Sequence, residues 1–284
     1  MNRQELTNLN SEVLLIYGEL LKIISARNTN STYDSGVSKY TYFKITEISK
    51  IWETEEKPLW DILSSLFIGL YSLDAEVSLV FSGDGKKLGV FLGSTPEYVD
   101  AVRRLLFGIL PQTQLSENED GDINLYSYNE CSNNLKYGGI LKGNPTGIEN
   151  INTPIQIDSV IKGMRGKKWN ISIFAKPISK KDTISRQQLY LTEATKYSIL
   201  TDVSYTDDNN REAVSYNHVY HHSRQYCDKM DAFIQKTLES ISVGEWLTTI
   251  NFFAENANDS KLLGGLLSST FFGDTSEPEP VHAL

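Results

Sequence analysis

The amino-acid sequence predicts an α/β (α+β) fold: a mixed sheet built from β-hairpin/helix and strand/helix units, with a long inserted helical hairpin. Runs rich in β-branched and aromatic residues alternate with runs of helical period along the 284 residues. Two segments, 167–176 and 244–255, each place a tryptophan before an alternating apolar strand that leads into a helix, which suggests two pieces of one sheet. Residues 178–243 contain neither glycine nor proline, which favours long helices.

Composition indicates a folded protein with an acidic surface. Hydrophobic residues make up 40% of the chain, enough to close a core, and the formal net charge is −9 at pH 7. This balance argues against DNA binding by the whole surface, because neutralising phosphates requires clustered Lys and Arg. The most apolar window, 58–73, contains Asp61 and is shorter than the roughly 20 residues that span a bilayer. We therefore expect no membrane insertion and a cytoplasmic location.

The N-terminal part of the chain is predicted to form a helix with a loop and then a first α/β lobe. Residues 10–26 place apolar side chains on one helical face, and 1–37 is assigned to this helix and its loop. Residues 39–48 have the composition of a strand, and 58–73 that of a buried helix. The first lobe spans residues 38–115.

A glycine-rich basic stretch, SGDGKK at 82–87, looks like a phosphate-binding loop. It lies between two β-rich apolar runs, 77–81 and 88–93, and Asp84-Gly85 between such runs is a hairpin signal. A phosphate-binding loop requires a helix after it, and the spacing G-x-x-x-x-G-K-[ST] is absent from the sequence. We therefore predict a plain β-turn here rather than a nucleotide site.

A second lobe is predicted over residues 116–273. It begins at the acidic, turn-rich stretch 116–122, which follows a helix that opens at Thr95-Pro96. Two short strands, at residues 123–128 and 137–143, and a helix at 154–166 are predicted before the first tryptophan-led strand.

The insertion at about 180–243 is predicted to be a helical hairpin. A polar cluster at 204–210 turns the chain between two helices, and the second helix, 211–241, would extend about 45 Å. Such a hairpin can reach well outside a compact core. The second helix carries a near 3,4 repeat of Val219, Tyr226, Met230 and Phe233.

The Pro- and acid-rich residues 274–284 are predicted to be a linker.

A pair of histidines on that second predicted helix is the candidate metal site. His218 and His222 are four residues apart, which on a helix places both imidazoles on one face, as zinc-binding helices do. The catalytic pattern H-E-x-x-H requires a glutamate that is missing, and a third ligand would have to come from Cys227 or a remote acid. We expect solvated helix histidines and no metal; the alternative is a metal-dependent hydrolase that uses the pair.

Four basic residues stand close together at the end of the helix predicted over 154–166: Lys162, Arg165, Lys167 and Lys168. Cations there complement the carbonyl end of the helix dipole, which is the simplest explanation for them. The alternative is contact with a polyanion or with an acidic neighbouring subunit. No other stretch is basic enough to support nucleic-acid readout.

The sequence contains no recognisable arrangement of catalytic residues. The motif G-x-S-x-G does not occur, and the paired carboxylates Glu119/Asp120 and Asp207/Asp208 lie in polar, turn-like stretches. We therefore predict no catalytic residue and no cofactor for this chain, and a binding or assembly role.

Three features together carry a family resemblance over residues 60–280. They are PIQIDSVIKGMRGKKWNISIFAKPI, in which a helix ends in a basic Arg-Gly before a tryptophan-led strand; the long helices without glycine or proline; and the Trp246 strand with its FFG…SEPEP exit. With these features, the chain resembles the N-terminal region that precedes the P-loop motor in bacterial ATPases of the HerA/FtsK superfamily, including conjugation-type motors.

The resemblance implies a ring-forming ATPase, often a hexamer, that moves DNA or protein, in which this region sets assembly and the choice of a protein partner. Nucleic acid would be reached through the parent assembly, and ATP and Mg²⁺ would act in its motor. Because this sequence lacks the phosphate-binding loop and the acidic strand of the motor, we expect the motor to follow Leu284 and assign no catalytic residue here. The alternative is a standalone protein-interaction module without a motor.

Overall fold

The computed structural model divides the chain into two compact units. One comprises Met1–Arg27 with Ser179–Ser242, and the other comprises Asn28–Ile178 with Val243–Leu284. The residues that the structure describes are 15, 39–48, 59–133, 135–143, 156–199, 203–207, 214–218, 221–271 and 281–284. The helix predicted over 10–26 therefore lies outside the described residues, apart from residue 15, which is helical.

Both helices and strands are abundant, so the predicted α/β class is confirmed. Within the described ranges the helices are α1 Leu59–Ser72, α2 Val99–Ile109, α3 Tyr128–Ser132, α4 Gln156–Gly163, α5 Lys180–Ser198, α6 His221–Val243 and α7 Ala257–Phe271. The strands are β1 Thr41–Glu47, β2 Val77–Asp84, β3 Leu88–Ser94, β4 Gln114–Leu115, β5 Leu125–Tyr126, β6 Tyr137–Lys142, β7 Lys168–Ile178, β8 Val203–Asp207, β9 Val214–His218, β10 Glu245–Ala254 and β11 His282–Ala283.

The larger unit is built on one nine-stranded sheet. Its strand order is β11-β6-β10-β7-β2-β3-β1-β4, and β5 also pairs with β1. All pairings among these described strands are antiparallel, whereas we expected a mixed sheet. Within the predicted class, an antiparallel sheet with helices is typical of α+β proteins. Because β2 pairs with β7, the two predicted lobes share this sheet. The two tryptophan-led strands, β7 and β10, are neighbours in it.

One face of the sheet carries the apolar core. Side chains alternate along β7, so Trp169 and Ile171 point to the same face, where they are buried with Val160 of α4 and Leu263 of α7. A second cluster packs α1 and α2 over the other half of the same face. Its buried members are Phe43, Leu66, Leu70, Ala75, Val77, Leu92, Val102, Leu106, Leu110 and Leu115.

The opposite face of the central strands buries polar side chains under the short helix α3. Tyr42 Oη donates a hydrogen bond to Ser78 Oγ at 3.0 Å, and Ser172 Oγ lies 3.0 Å from Tyr128 Oη. Ser172 Oγ also donates to Asn170 Oδ1 at 2.6 Å. These bonds satisfy hydroxyl groups that would otherwise be costly to bury.

The start of α3 corrects the strand that we predicted over 123–128. Only Leu125–Tyr126 pair with β1, and the chain turns helical at Tyr128. The reason is a capping box, in which the Glu130 carboxylate accepts hydrogen bonds from the backbone N–H and the hydroxyl of Ser127, each at 2.7 Å.

The end of the chain also differs from the prediction of a linker over 274–284. Residues 274–280 lie outside the described residues, but strand β11 comes after them and pairs with β6. Val281 is 5% exposed and belongs to the core beneath α7. Burial of the Val281 side chain stabilises the pairing of β11 with β6.

The smaller unit contains α5, α6 and a two-stranded sheet of β8 and β9. Tyr190 of α5 stacks on Phe233 of α6, with ring centroids 5.2 Å apart. Seven residues later in α5 and seven earlier in α6, Tyr197 meets Tyr226 edge-on at 5.3 Å. Residues that ascend in α5 therefore meet residues that descend in α6, so the two helices pack antiparallel.

A β-hairpin separates these two helices, so the predicted helical hairpin is interrupted. The second helix, which we predicted over 211–241, begins at His221, and residues 203–207 and 214–218 pair as antiparallel strands instead. Both strands contain β-branched or aromatic residues, which favour extended backbone. Of the predicted apolar repeat, Tyr226 and Met230 are buried and Phe233 contacts α5, while Val219 lies outside the described residues.

Candidate functional site

Two tight turns that carry lysine and arginine side chains form the first candidate site, which we call the basic turn pair (residues 84–87 and 164–168). The first turn joins β2 to β3, which confirms the predicted hairpin. Asp84 Oδ1 accepts hydrogen bonds from the backbone N–H groups of Lys86 and Lys87, both at 2.7 Å. These bonds from Lys87 and Lys86 hold the pKa of the Asp84 carboxyl below its ordinary value. Gly85 has φ +91°, which favours glycine.

The second turn leads from α4 into β7. Met164 at its start is fully buried, and Gly166, three residues after the end of α4, has φ +79°, which favours glycine. The neighbouring side chains of Lys162 and Arg165 are exposed to solvent. A buried anchor thus fixes a turn whose basic side chains point away from the core.

Two of the four predicted basic residues have carboxylate partners. Lys167 Nζ forms an ion pair with Asp259 of α7 and, together with Asn256, holds the pKa of that carboxyl below its ordinary value. Lys168 Nζ lies 3.0 Å from Glu255 Oε1, and both side chains are about half exposed, so this pair contributes little to stability.

Lys162 and Arg165, in contrast, have no acidic partner within ion-pair distance among the described residues. The ammonium groups of Lys86 and Lys87 in the first turn also have no acidic partner among the described residues. Only the backbone N–H groups of these two lysines bind Asp84. In a protein with a formal net charge of −9, four such cations on adjacent turns are available to an outside anion.

Pairing of β2 with β7 is what brings the two turns together. Asp84 is in register with Lys168, so the turns that follow β2 and precede β7 lie side by side. A Cβ atom placed on Gly85 would lie 3.3 Å from the carbonyl oxygen of Gly166. Sequence reasoning treated the two basic motifs as unrelated and missed Lys86 and Lys87, because more than 75 residues separate the turns and only strand pairing unites them.

The structure does not place the candidate histidines as the sequence predicted. His218 is the last residue of β9, and His222 is the second residue of α6, so the helical i, i+4 geometry of the metal hypothesis is wrong. Across the ranges that the structure covers, no group of three or more His, Cys, Asp or Glu side chains is placed to hold a metal ion. Among the paired carboxylates, Glu119 and Asp120 are exposed in the turn before β5.

The helix pair, which we define as α5 and α6, presents a second candidate site. Ile184 and Leu191 of α5 lie seven residues apart, on one side of the helix, and are 38% and 46% exposed. They lie away from Tyr190 and Tyr197, which face α6. Further exposed apolar side chains of the pair are Leu189, Leu238 and Val243.

No helix in the described part of the chain is both long enough and apolar enough to cross a lipid bilayer. When the chain is compared with models of protein families and with curated proteins, it matches none of them.

Proposed function

We propose that this chain is a non-catalytic assembly and adaptor region of a HerA/FtsK-like ring ATPase, a DNA or protein translocase with its P-loop motor C-terminal to this chain. In this proposal the helix pair binds a neighbouring copy of the chain in a ring of hexamer type. ATP and Mg²⁺ act in the motor of the parent protein, in the cytoplasm. A protein partner binds this region, and nucleic acid is reached through the parent assembly.

Exposed apolar side chains on the helix pair are the observation that carries this proposal. Fully burying an exposed Leu or Ile side chain stabilises a complex by about 1.5–3 kcal/mol. Ile184 and Leu191 are each more than one third exposed and share one side of α5, whereas the exposed Leu189 lies on another side. A contact that covers Ile184 and Leu191 would gain a part of that increment from each side chain, since each is partly exposed, and this favours association through α5.

The internal packing of the helix pair supports a role as a preformed surface. The aromatic contacts Tyr190–Phe233 and Tyr197–Tyr226 hold α5 and α6 together on the side away from Ile184 and Leu191. Because the helices are already ordered by each other, docking a partner on the exposed side costs less conformational entropy than ordering a free helix.

Site-specific photo-cross-linking tests the proposal. A benzophenone attached to Leu191→Cys should cross-link to a second copy of the chain, and the matched label at Ser185→Cys, also exposed but on another side of α5, should do so much less. The native thiols Cys131 and Cys227 are buried and do not compete for the label. Equal cross-linking from both positions, or none from Leu191→Cys, contradicts the proposed contact.

The standalone protein-interaction module is the rival that the same surface supports. The two proposals differ in the coding sequence that they require downstream of Leu284. A HerA/FtsK-like parent requires a strand and a G-x-x-x-x-G-K-[ST] loop in that reading frame. A parent protein without that loop would refute the translocase assignment, while the helix-pair contact would still be tested by the cross-linking.

A further inference from the structure

A small cavity, open to solvent, lies at the basic turn pair. It measures about 100 Å³ and lies between the β2–β3 turn and the turn before β7. Side chains or backbone of both turns line it, together with α4 and the first residues of β7. Its lining includes Gly83, Gly85, Lys86, Lys87, Arg165 and Trp169.

We propose that this cavity is a binding site for a phosphate-type oxyanion. The site uses donors and charges that the protein itself leaves unused. It is independent of the helix-pair contact, so either proposal can fail without the other.

The indole of Trp169 supplies the most specific argument. Trp169 is only 3% exposed, and its Nε1 faces Gly83 across the β2–β7 pair, since a Cβ atom built on Gly83 would lie 2.4 Å from Nε1. The Nε1–H group donates no hydrogen bond to any residue that the structure describes. Nε1 is not among the fully buried polar atoms without a partner, so this N–H reaches the solvent-filled cavity that Trp169 lines and can donate to a ligand there.

Charge around the cavity favours an anion as that acceptor. Lys86, Lys87 and Arg165 line the cavity and have no carboxylate partner in the described ranges, whereas Lys167, which also lines it, is paired with Asp259. The Asp84 carboxylate is already engaged by two backbone N–H groups, which shape the first turn. Guanidinium and ammonium groups bind phosphate oxygens through charge-assisted hydrogen bonds.

The size of the cavity limits what can enter. Its volume of about 100 Å³ is well below the roughly 300–1,000 Å³ of sites that hold whole organic ligands, so it suits a group of the size of one tetrahedral oxyanion. Gly83 lets the Trp169 ring pack against the backbone of β2 at the wall of the cavity, because a larger residue there would collide with the ring. The ligand class is therefore inorganic phosphate or the terminal phosphate of a monoester whose remainder stays outside.

This site differs from the phosphate-binding loop that the SGDGKK stretch first suggested. No helix follows Lys87, because β3 begins at Leu88, so no helix dipole contributes. The donors come from an indole and from side chains on two turns that are distant in sequence.

The test follows the indole Nε1–H resonances of the ¹⁵N-labelled chain by NMR during a titration with inorganic phosphate at constant ionic strength. The chain has four tryptophans, and Trp169→Phe identifies the resonance of Trp169 by its loss. We expect that resonance to shift in a saturable manner while the other indole signals stay in place. An equal concentration of chloride should produce no such shift. If the Trp169 signal does not move up to about 10 mM phosphate, or moves equally with chloride, the proposal is wrong.

Charge variants test whether the two turns act together. Lys86→Gln/Arg165→Gln should weaken phosphate binding by about tenfold or more. The matched control is Lys176→Gln, on the same strand as Trp169 but near its other end, and it should leave the affinity within twofold. Unchanged indole signals from the other tryptophans verify the fold of each variant. Affinity retained in the double variant would overturn the proposed role of these side chains.

A second titration distinguishes the source of the phosphate. If a nucleoside monophosphate binds with the same affinity as inorganic phosphate, the terminal phosphate alone is recognised. Binding of a DNA oligonucleotide without a terminal phosphate, together with no response to inorganic phosphate, would point to an extended polyanion surface and would refute a compact oxyanion site.

Discussion

Tyr197 of α5 packs edge-on against Tyr226 of α6, with ring centroids 5.3 Å apart and an angle of 88° between the ring planes. Tyr197 is fully buried, and truncation of a large buried aromatic leaves a cavity. We expect Tyr197→Ala to lower the free energy of unfolding by about 3 kcal/mol, as measured by urea denaturation.

The matched variant Tyr197→Phe keeps the ring and removes the hydroxyl that accepts a hydrogen bond from Lys196 Nζ at 2.9 Å. It should cost only about 1 kcal/mol. If both substitutions lower the free energy of unfolding equally, ring packing does not hold the helix pair together.

Two glycines should respond to alanine in opposite directions. Gly85→Ala places a side chain at φ +91° and against the Gly166 carbonyl, which should destabilise the chain by about 1–2 kcal/mol. Gly265 lies inside α7, where an added Cβ atom would meet no other atom within 4 Å, so Gly265→Ala should stabilise by about 0.5–1 kcal/mol. Urea denaturation of both variants checks the signs, and a stabilising Gly85→Ala would contradict the turn geometry.

The Glu76 carboxylate should make stability depend on pH. Partial burial raises its pKa, but hydrogen bonds from Lys39 and Tyr40 and the nearby Lys176 outweigh burial, so the pKa lies below the ordinary 4.5. Because the folded-state pKa is depressed, the stabilisation by ionised Glu76 is fully present above about pH 4.5 and is lost as the pH falls through the folded-state pKa.

Unfolding free energies of wild type and Glu76→Gln should therefore differ most near neutral pH and converge in acid. In a Lys39→Gln background this pH dependence should become smaller, because one of the hydrogen bonds that lower the pKa is removed. A difference between wild type and Glu76→Gln that grows on acidification would contradict the assigned sign.

Both thiols should resist modification in the folded chain. Burial, with a contribution from the Glu130 carboxylate, raises the pKa of Cys131 from 9.0 to about 12, and burial also raises the pKa of Cys227. Since the thiolate is the reactive form, a disulfide reagent at about pH 8 should react with Cys131 roughly a thousandfold more slowly than with an ordinary thiol. Unfolding in urea should release both thiols, and rapid reaction of the native chain would show that Cys131 is accessible.

Elements whose signals are local could be predicted from the sequence. The β2–β3 hairpin follows from Asp84-Gly85 between two apolar runs, and α1, α2 and α7 follow from helical periodicity. In each case, neighbouring residues supply the turn or the amphipathic face that forms the element.

Features set by distant partners could not be predicted. Absence of glycine and proline suggested one continuous hairpin of helices, yet the β-branched and aromatic residues of 203–207 and 214–218 pair as strands. The basic turn pair exists only because β2 and β7 are adjacent, and the packing of the Trp169 ring against β2 depends on the absence of a side chain at Gly83. Neither relationship leaves a signal within one window of sequence.

The mass of the chain in solution tests the central claim, self-association through the helix pair, most directly. Sedimentation equilibrium of residues 1–284 should show a species heavier than the 32.0 kDa monomer that becomes more populated with concentration. The variant Ile184→Asp/Leu191→Asp should remain at 32.0 kDa, since buried charges would oppose the contact. A wild-type chain that stays monomeric up to about 100 µM, or a double variant that associates as strongly as wild type, would contradict the account.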